Sequence, residues 1–377
     1  MTLLSAPNIA GNEWKYVKDC LDTGWVSSVG AYVTQFEDYL ASYTGAKYAV
    51  ATSSGSTALH ISLLLAGVQQ DDYVIVPNVT FVASLNTIAY TGARPILMDI
   101  NVDTWQMDLD LLEEFFTDRT FLDDNGNCCL KEDRKVIRAI MPVHILGNIC
   151  AMDRVMALAE KFGLAVVEDA TEALGSTYKG KHAGTFGMLG CISFNGNKII
   201  TTGGGGMILT NDADLAKRAK HLTTQAKSDP FEYFHDEIGY NYRLVNVLAA
   251  IGVAQMELLP SFIEKKKQIA GYYKENLSQT GDIGFQTIEA DVNCNNWLFT
   301  IRSAEQKKLL KVLNEAKLQS RPFWVPMNQL PMFSSALYHT KNDLSDVLYN
   351  SCLSVPCSTQ ITDEEMARVV EAIKSVF

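Results

Sequence analysis

The chain has 377 residues, 47% of them hydrophobic and 20% charged, which is ample for a sizeable core and suggests two domains rather than three. A formal net charge of −11 and a pI near 5.1 exclude the basic surface that nucleic acid requires, though not a local basic pocket. No basic N-terminal segment leads into an apolar run, no apolar stretch reaches bilayer length, and the eight cysteines show neither a C-x-x-C pair nor metal-ligand spacing with the six histidines, so a reduced cytoplasmic protein without membrane or metal is expected.

From residue 46 onward, short apolar runs alternate with longer amphipathic ones. Strands are expected at 48–51, 73–77, 95–99, 136–143 and 165–169, with helices at 56–66, 83–89, 108–116 and 152–162 between them. That alternation predicts an α/β fold with a mostly parallel sheet covered on both faces, and ligands beyond the carboxyl ends of its strands. The segment 118–133 breaks the rhythm, and Asp123, Asp124, Asn125, Gly126 and Asn127 read as an exposed hairpin tip. Strands at 189–194 and 207–210 follow, with helices at 213–221, 246–257 and 263–277, the last leading out of the main domain. A strand near 297–302, a helix at 304–316 opened by Ser303 and a helix at 363–376 read as a small α+β domain. The expected division is a large domain over 1–260, including the N-terminal segment, and a small one over 261–377.

Lys198 is the residue on which a chemical reading turns. It follows a strand, sits five residues beyond Ser193 and precedes four glycines, Gly203 to Gly206, while Asp169 ends an apolar run upstream. An amine that forms a Schiff base, a carboxylate for a pyridinium nitrogen and a hydroxyl for phosphate are what pyridoxal 5'-phosphate (PLP) requires. The turn Ser53-Ser54-Gly55-Ser56-Thr57 adds a helix N-terminus suited to an anion, and Phe81 lies just beyond a strand end, where a ring could cover a cofactor. Singly, each has a plain structural reading: a solvated loop lysine, a strand-end cap, a helix cap at Ser54, a core phenylalanine. Together they describe a cofactor site. The glycines are no dinucleotide fingerprint, because they precede a strand instead of opening a helix.

These motifs, with Gly24-Trp25-Val26-Ser27-Ser28, Val143-His144-x-x-Gly147, Glu168-Asp169-Ala170-x-Glu172, Gly239-Tyr240-Asn241-Tyr242-Arg243 and Arg321-Pro322, resemble in order and over the whole chain the DegT/DnrJ/EryC/StrS sugar aminotransferases, fold-type I PLP enzymes. The resemblance implies a large domain built on a seven-stranded, mostly parallel sheet and a small C-terminal α+β domain. It implies Lys198 as the Schiff-base lysine, Asp169 as partner of the ring nitrogen, and Glu172 near the 3-hydroxyl. Ser193, Ser56 and Thr57 would take the phosphate and Phe81 would stack on the ring. Asn241 would reach the cofactor phosphate from the other subunit of a homodimer with shared active sites. Arg243 would contact the amino-donor carboxylate, and Trp25 is a further candidate for the substrate. Gly204 departs from the pattern, since many relatives carry Glu there.

The activity implied is transfer of an amino group from L-glutamate to the 4-keto carbon of a nucleotide-linked 4-keto-6-deoxy sugar. Among nucleotide-sugar 4-aminotransferases of the legionaminate/perosamine type, the insertion near Asp123–Asn127 and the Gly204 variant resemble the legionaminate-type branch, which favours the UDP-4-keto-6-deoxy-GlcNAc type over the GDP-linked 4-keto-6-deoxymannose type. The alternatives are amination at C3 of a dTDP-keto sugar or a cyclitol, and a non-enzymatic regulatory or scaffold role.

Overall fold

A computed structural model describes residues 1–229 and 231–377. The large sheet contains, in chain order, Tyr48–Thr52 (β1), Tyr73–Pro77 (β2), Arg94–Met98 (β3), Ile137–Ile140 (β4), Ala165–Asp169 (β5), Leu189–Ser193 (β6), Gly206–Thr210 (β7) and Leu337–His339 (β8). Their spatial order is β1-β7-β6-β5-β4-β2-β3-β8. Only β7 runs against its neighbours. The strands are short apolar runs because both faces are covered: Ile75, Val166, Ile192 and Met207 enter one core, and Val74, Val76, Val167 and Cys191 the other.

The sheet has eight strands instead of the seven expected. The extra one, β8, comes from the C-terminal part of the chain and pairs in parallel with β3. Its three residues are too few to show an alternating pattern, and only pairing with β3 makes them a strand.

A separate antiparallel sheet orders Gly284–Phe285, Phe299–Arg302, Cys352–Val355 and Arg321–Pro322. The helices Gln306–Glu315 and Asp363–Lys374 share with it a third core built on Leu309, Leu313, Leu353, Val369 and Ile373. The segment 118–133 is the expected hairpin, with strands Thr120–Leu122 and Cys128–Leu130.

A proline lacks the N–H and crowds the preceding turn, so a break is expected between 257 and 263. Instead one helix runs unbroken over Asn246–Leu277 with Pro260 inside it. Val253, Met256 and Leu259 before the proline and Phe262, Ile263 and Ile269 after it are all buried. Their burial, worth about 2 kcal/mol each, exceeds the roughly 3 kcal/mol that an interior proline costs. The 260/261 division falls within this helix, whose first part joins the large-sheet core and whose last part joins the third. By length and composition it could also cross a membrane, but 61% of its apolar window is buried inside the protein, as in a core helix.

Candidate active site

The carboxyl ends of β1, β2, β5 and β6 open on one edge of the sheet, and a cavity of about 440 Å³ lies there. Asp169, the last residue of β5, accepts from Ser84 Oγ at 2.6 Å on Oδ2 and from the Thr171 amide at 3.2 Å on Oδ1. Both partners are donors, so both carboxylate oxygens act as acceptors. Ser193 ends β6 and faces the same cavity. The turn that follows closes on itself: the Lys198 amide donates to Asn195 O at 3.0 Å and the Thr202 amide to Phe194 O at 3.0 Å. Lys198 therefore projects from a fixed turn into the space between β5 and the small sheet.

Its side chain is only 14% exposed, with Nζ 3.8 Å from Glu172 Oε1 and 4.0 Å from the centroid of the Trp297 ring. Burial lowers the Lys198 pKa, opposed by Glu172 and Asp169. Burial likewise pushes the Glu172 carboxyl up to about 7, against the pull of Lys198. Glu172 Oε2 accepts from the Leu146 amide at 2.7 Å. Leu146 has φ +59°, a left-handed conformation that a leucine seldom adopts, and this turn aims its N–H at the carboxylate.

The helix Gly55–Leu65 points its N-terminus at the cavity, where Ser54, Gly55 and Ser56 line the wall. Its first-turn amides lack intrahelical acceptors and form an anion site. A Cβ on Gly55 would stand 2.9 Å from Ser193 Cβ, so glycine is what lets this helix end abut Ser193. Gly206 is equally constrained, its Cβ position lying 2.3 Å from Ser54 O, whereas Gly204 has nothing nearer than Ser53 O at 4.0 Å. A desolvated amine, a carboxylate with its own donors, and hydroxyls beside a helix N-terminus form a donor set that fits PLP.

Of the residues singled out from sequence, Ser56, Phe81, Asp169, Glu172, Ser193 and Lys198 line this cavity together. Thr57 does not. Its hydroxyl donates to Ser54 O at 2.8 Å and accepts from the Ser54 amide at 3.0 Å, completing a capping box with Ser54. Asn241 is exposed and lies outside the cavity of its own chain. Arg243 is a correction. Its guanidinium is buried, paired with Glu37 through both terminal nitrogens and donating to Ala51 O at 3.1 Å, so it is not free to take a substrate carboxylate. Trp25 also lies outside this cavity and lines another that it shares with Arg243.

Four residues at the site carry no role in the sequence reading. Ser84 lies one turn beyond Thr80, whose hydroxyl is 2.9 Å away, and this spacing was its only signal. Arg321, Trp324 and Trp297 come from the small sheet and its approaches, and of these only Arg321 lay in a recognised motif. His221, Asp236 and Glu237 cluster at the surface away from the cavity, paired with one another and with Arg218.

The model of the DegT/DnrJ/EryC1/StrS aminotransferase family matches residues 7–374. The chain is 38% identical over 374 residues to GDP-perosamine synthase of Escherichia coli O157:H7, covering 98% of this chain and 97% of that protein. It is 32% identical over 329 residues to the UDP-2-acetamido-2-deoxy-3-oxo-D-glucuronate aminotransferase of Pseudomonas aeruginosa, covering 85% and 86%. Among solved structures, Spr1654 of Streptococcus pneumoniae in its PLP form superposes with a TM-score of 0.89 at 25% identity, covering 100% of this chain and 98% of that one. The chain belongs to the DegT/DnrJ/EryC1/StrS aminotransferase family and is a PLP-dependent sugar aminotransferase.

Proposed function

We propose that the protein moves an amino group from L-glutamate to C4 of a nucleotide-linked 4-keto-6-deoxy sugar. The observation that carries the reading is the nearly enclosed Lys198 amine, in one cavity with Asp169, Glu172 and Ser193. PLP, when bound, supplies the carbonyl that takes up the amine and an electron-withdrawing ring. Lys198 holds the carbonyl end and moves a proton, first from Cα of glutamate and then onto C4 of the sugar. Burial lowers its pKa, which favours the neutral amine that acts as a base. Asp169 would pair with the ring nitrogen, Glu172 would stand near the 3-oxygen, and Ser56 and Ser193 would take the phosphate beside the helix N-terminus. Phe81, 57% exposed at the cavity wall, would cover the ring. Arg321, which lines the cavity, takes over from Arg243 as the cation for the donor carboxylate.

Asn241 serves the partner's site in a homodimer, which accords with its exposure and its distance from the cavity of its own chain. All eight cysteines are free and buried, in keeping with the reducing cytoplasm where we place the protein.

The UDP-linked N-acetylated sugar is the first acceptor to test and the GDP-linked deoxymannose the second, favoured by the likeness to a GDP-perosamine synthase. Amination at C3 is a second reading, motivated by the likeness to an aminotransferase named for a 3-oxo sugar. The test loads the enzyme with the pyridoxamine form and adds each keto-sugar nucleotide in turn. Return of the pyridoxal absorbance with a 4-keto sugar supports the proposal; its return with 3-keto sugars alone overturns it. Lys198→Ala should lower turnover by a factor of about 10² to 10⁴, and unchanged turnover would remove Lys198 from the mechanism.

A further inference from the structure

Lys266 is 2% exposed and has no carboxylate partner. Its Nζ donates to Trp297 O at 2.7 Å and to Cys357 O at 2.6 Å, with Cys357 Sγ at 3.7 Å. A lysine desolvated this far is costly to keep, and what it holds is the Trp297 backbone, tied to that of Cys357. Two further contacts fix the same residue. The Trp297 amide donates to Asn295 Oδ1 at 2.8 Å, and its indole Nε1 donates to Asn197 O at 2.7 Å, next to Lys198. Asn295 in turn donates to Glu172 O at 2.8 Å and Leu174 O at 2.9 Å, tying the tryptophan to the segment that carries Glu172. The indole is thus pinned through its backbone and its ring nitrogen, and its face lies 4.0 Å from Lys198 Nζ.

We infer that Trp297 is the resting place of the Lys198 amine, its π-face receiving the ammonium whenever the amine is not bonded to the cofactor, with Lys266 as the positioning residue that keeps the indole there. This rests on Lys198 being the reacting amine. An amine that leaves the cofactor and returns a proton to it must stay close and must remain able to carry that proton. An aromatic face favours the ammonium without forming a covalent bond, and here it does so beside the Glu172 carboxylate, 3.8 Å from Nζ. The other charged groups at the cavity are Glu172, 3.8 Å from Nζ, and Asp169 and Arg321 on its wall. Glu172 and Asp169 favour the ammonium and Arg321 opposes it, and all three stay in place when the indole is changed.

The test uses the cofactor-free protein, so it needs no turnover. Acylation of Lys198 by an amine-directed reagent is followed by peptide mass spectrometry across pH, with exposed Lys47 in the same sample as reference. Replacing Trp297 by leucine keeps the amine desolvated but removes the π-face. Trp297→Leu should therefore move the reactivity midpoint down by about 0.5 to 1 pH unit. Trp297→Phe should fall between, and Lys266→Met should move the midpoint in the same direction as Trp297→Leu by loosening the indole. An unchanged or raised midpoint in both Trp297 variants overturns the inference. With wild-type transamination intact, that result leaves the proposed function standing; a wild type whose pyridoxamine form no 4-keto sugar nucleotide returns to pyridoxal would sink the function itself.

Discussion

Glu172 is the residue whose chemistry is most exposed to pH. Its carboxyl is buried, and burial lifts its pKa to about 7 against an ordinary value of 4.5. A carboxyl whose folded pKa exceeds its unfolded one binds more protons in the folded state. Its contribution to stability is thus fully present below about 4.5 and is lost as pH rises to about 7. The cofactor-free wild type should lose stability relative to Glu172→Gln across that window, by at most on the order of 3 kcal/mol. Thermal unfolding of both proteins between pH 4.5 and 7.5 checks the sign. A difference that stays flat would mean that the carboxyl is not desolvated as the geometry indicates. The placements legible from sequence at this scale are those of residues at strand ends, because a strand fixes where its last side chain goes. Asp169 and Ser193 reach the cavity that way. Arg243 was misread because adjacency to Asn241 and Tyr242 in a motif says nothing about which way a side chain points, and Glu37, some two hundred residues away, claims it.

Elements meet at the cavity through glycine, and the two glycines beside each other in meaning are Gly204 and Gly206. Both belong to one sequence cluster and read alike from it. Space separates them: the Cβ of an alanine at 206 would fall 2.3 Å from Ser54 O, and at 204 it would reach nothing within van der Waals contact. Gly206→Ala should push the helix Gly55–Leu65 away from Ser193, costing roughly 1–3 kcal/mol and weakening PLP affinity at the phosphate end. Gly204→Ala should stay within about 0.5 kcal/mol of wild type. Denaturant melts of the cofactor-free proteins and PLP titrations distinguish the two, and equal behaviour would contradict the close approach of β7 to that helix. The same limit on sequence reasoning explains the other differences at this scale. β8 is too short for periodicity to register, and the helix through Pro260 survives because burial on both sides of the proline outweighs a local rule. Trp297 stayed invisible for a related reason, since it reaches Lys198 across a hundred residues from the bend before the strand Phe299–Arg302.

At the scale of the whole molecule, the segment after the helix Ala213–Thr223 is unlike the rest of the surface. Phe231, Tyr233, Phe234 and Ile238 are all largely exposed within a few residues, Phe231 at 94%. They sit on and beside a two-stranded hairpin, Lys227–Asp229 with Phe234–His235, which leads directly to Asn241. A two-stranded hairpin is marginal by itself, and clustered exposed aromatics mark an interaction surface. Asn241 is expected to serve a neighbour's cofactor, so a second copy of this chain is the partner that accounts for both features. The double variant Phe231→Asp/Ile238→Asp should therefore shift the mass measured by light scattering from dimer to monomer. The fold should persist, because neither side chain contributes to the cores. PLP affinity should fall at least about tenfold with the loss of one hydrogen-bonding group to the phosphate, since a hydrogen bond to a charged group is worth about 1.5–3 kcal/mol. Asn241→Ala should reproduce the weaker PLP binding while leaving the mass that of a dimer. If the double variant stays dimeric and binds PLP normally, the subunits meet elsewhere and the site is complete within one chain. If it becomes monomeric with unchanged affinity, the hairpin joins the subunits but Asn241 does not cross between them.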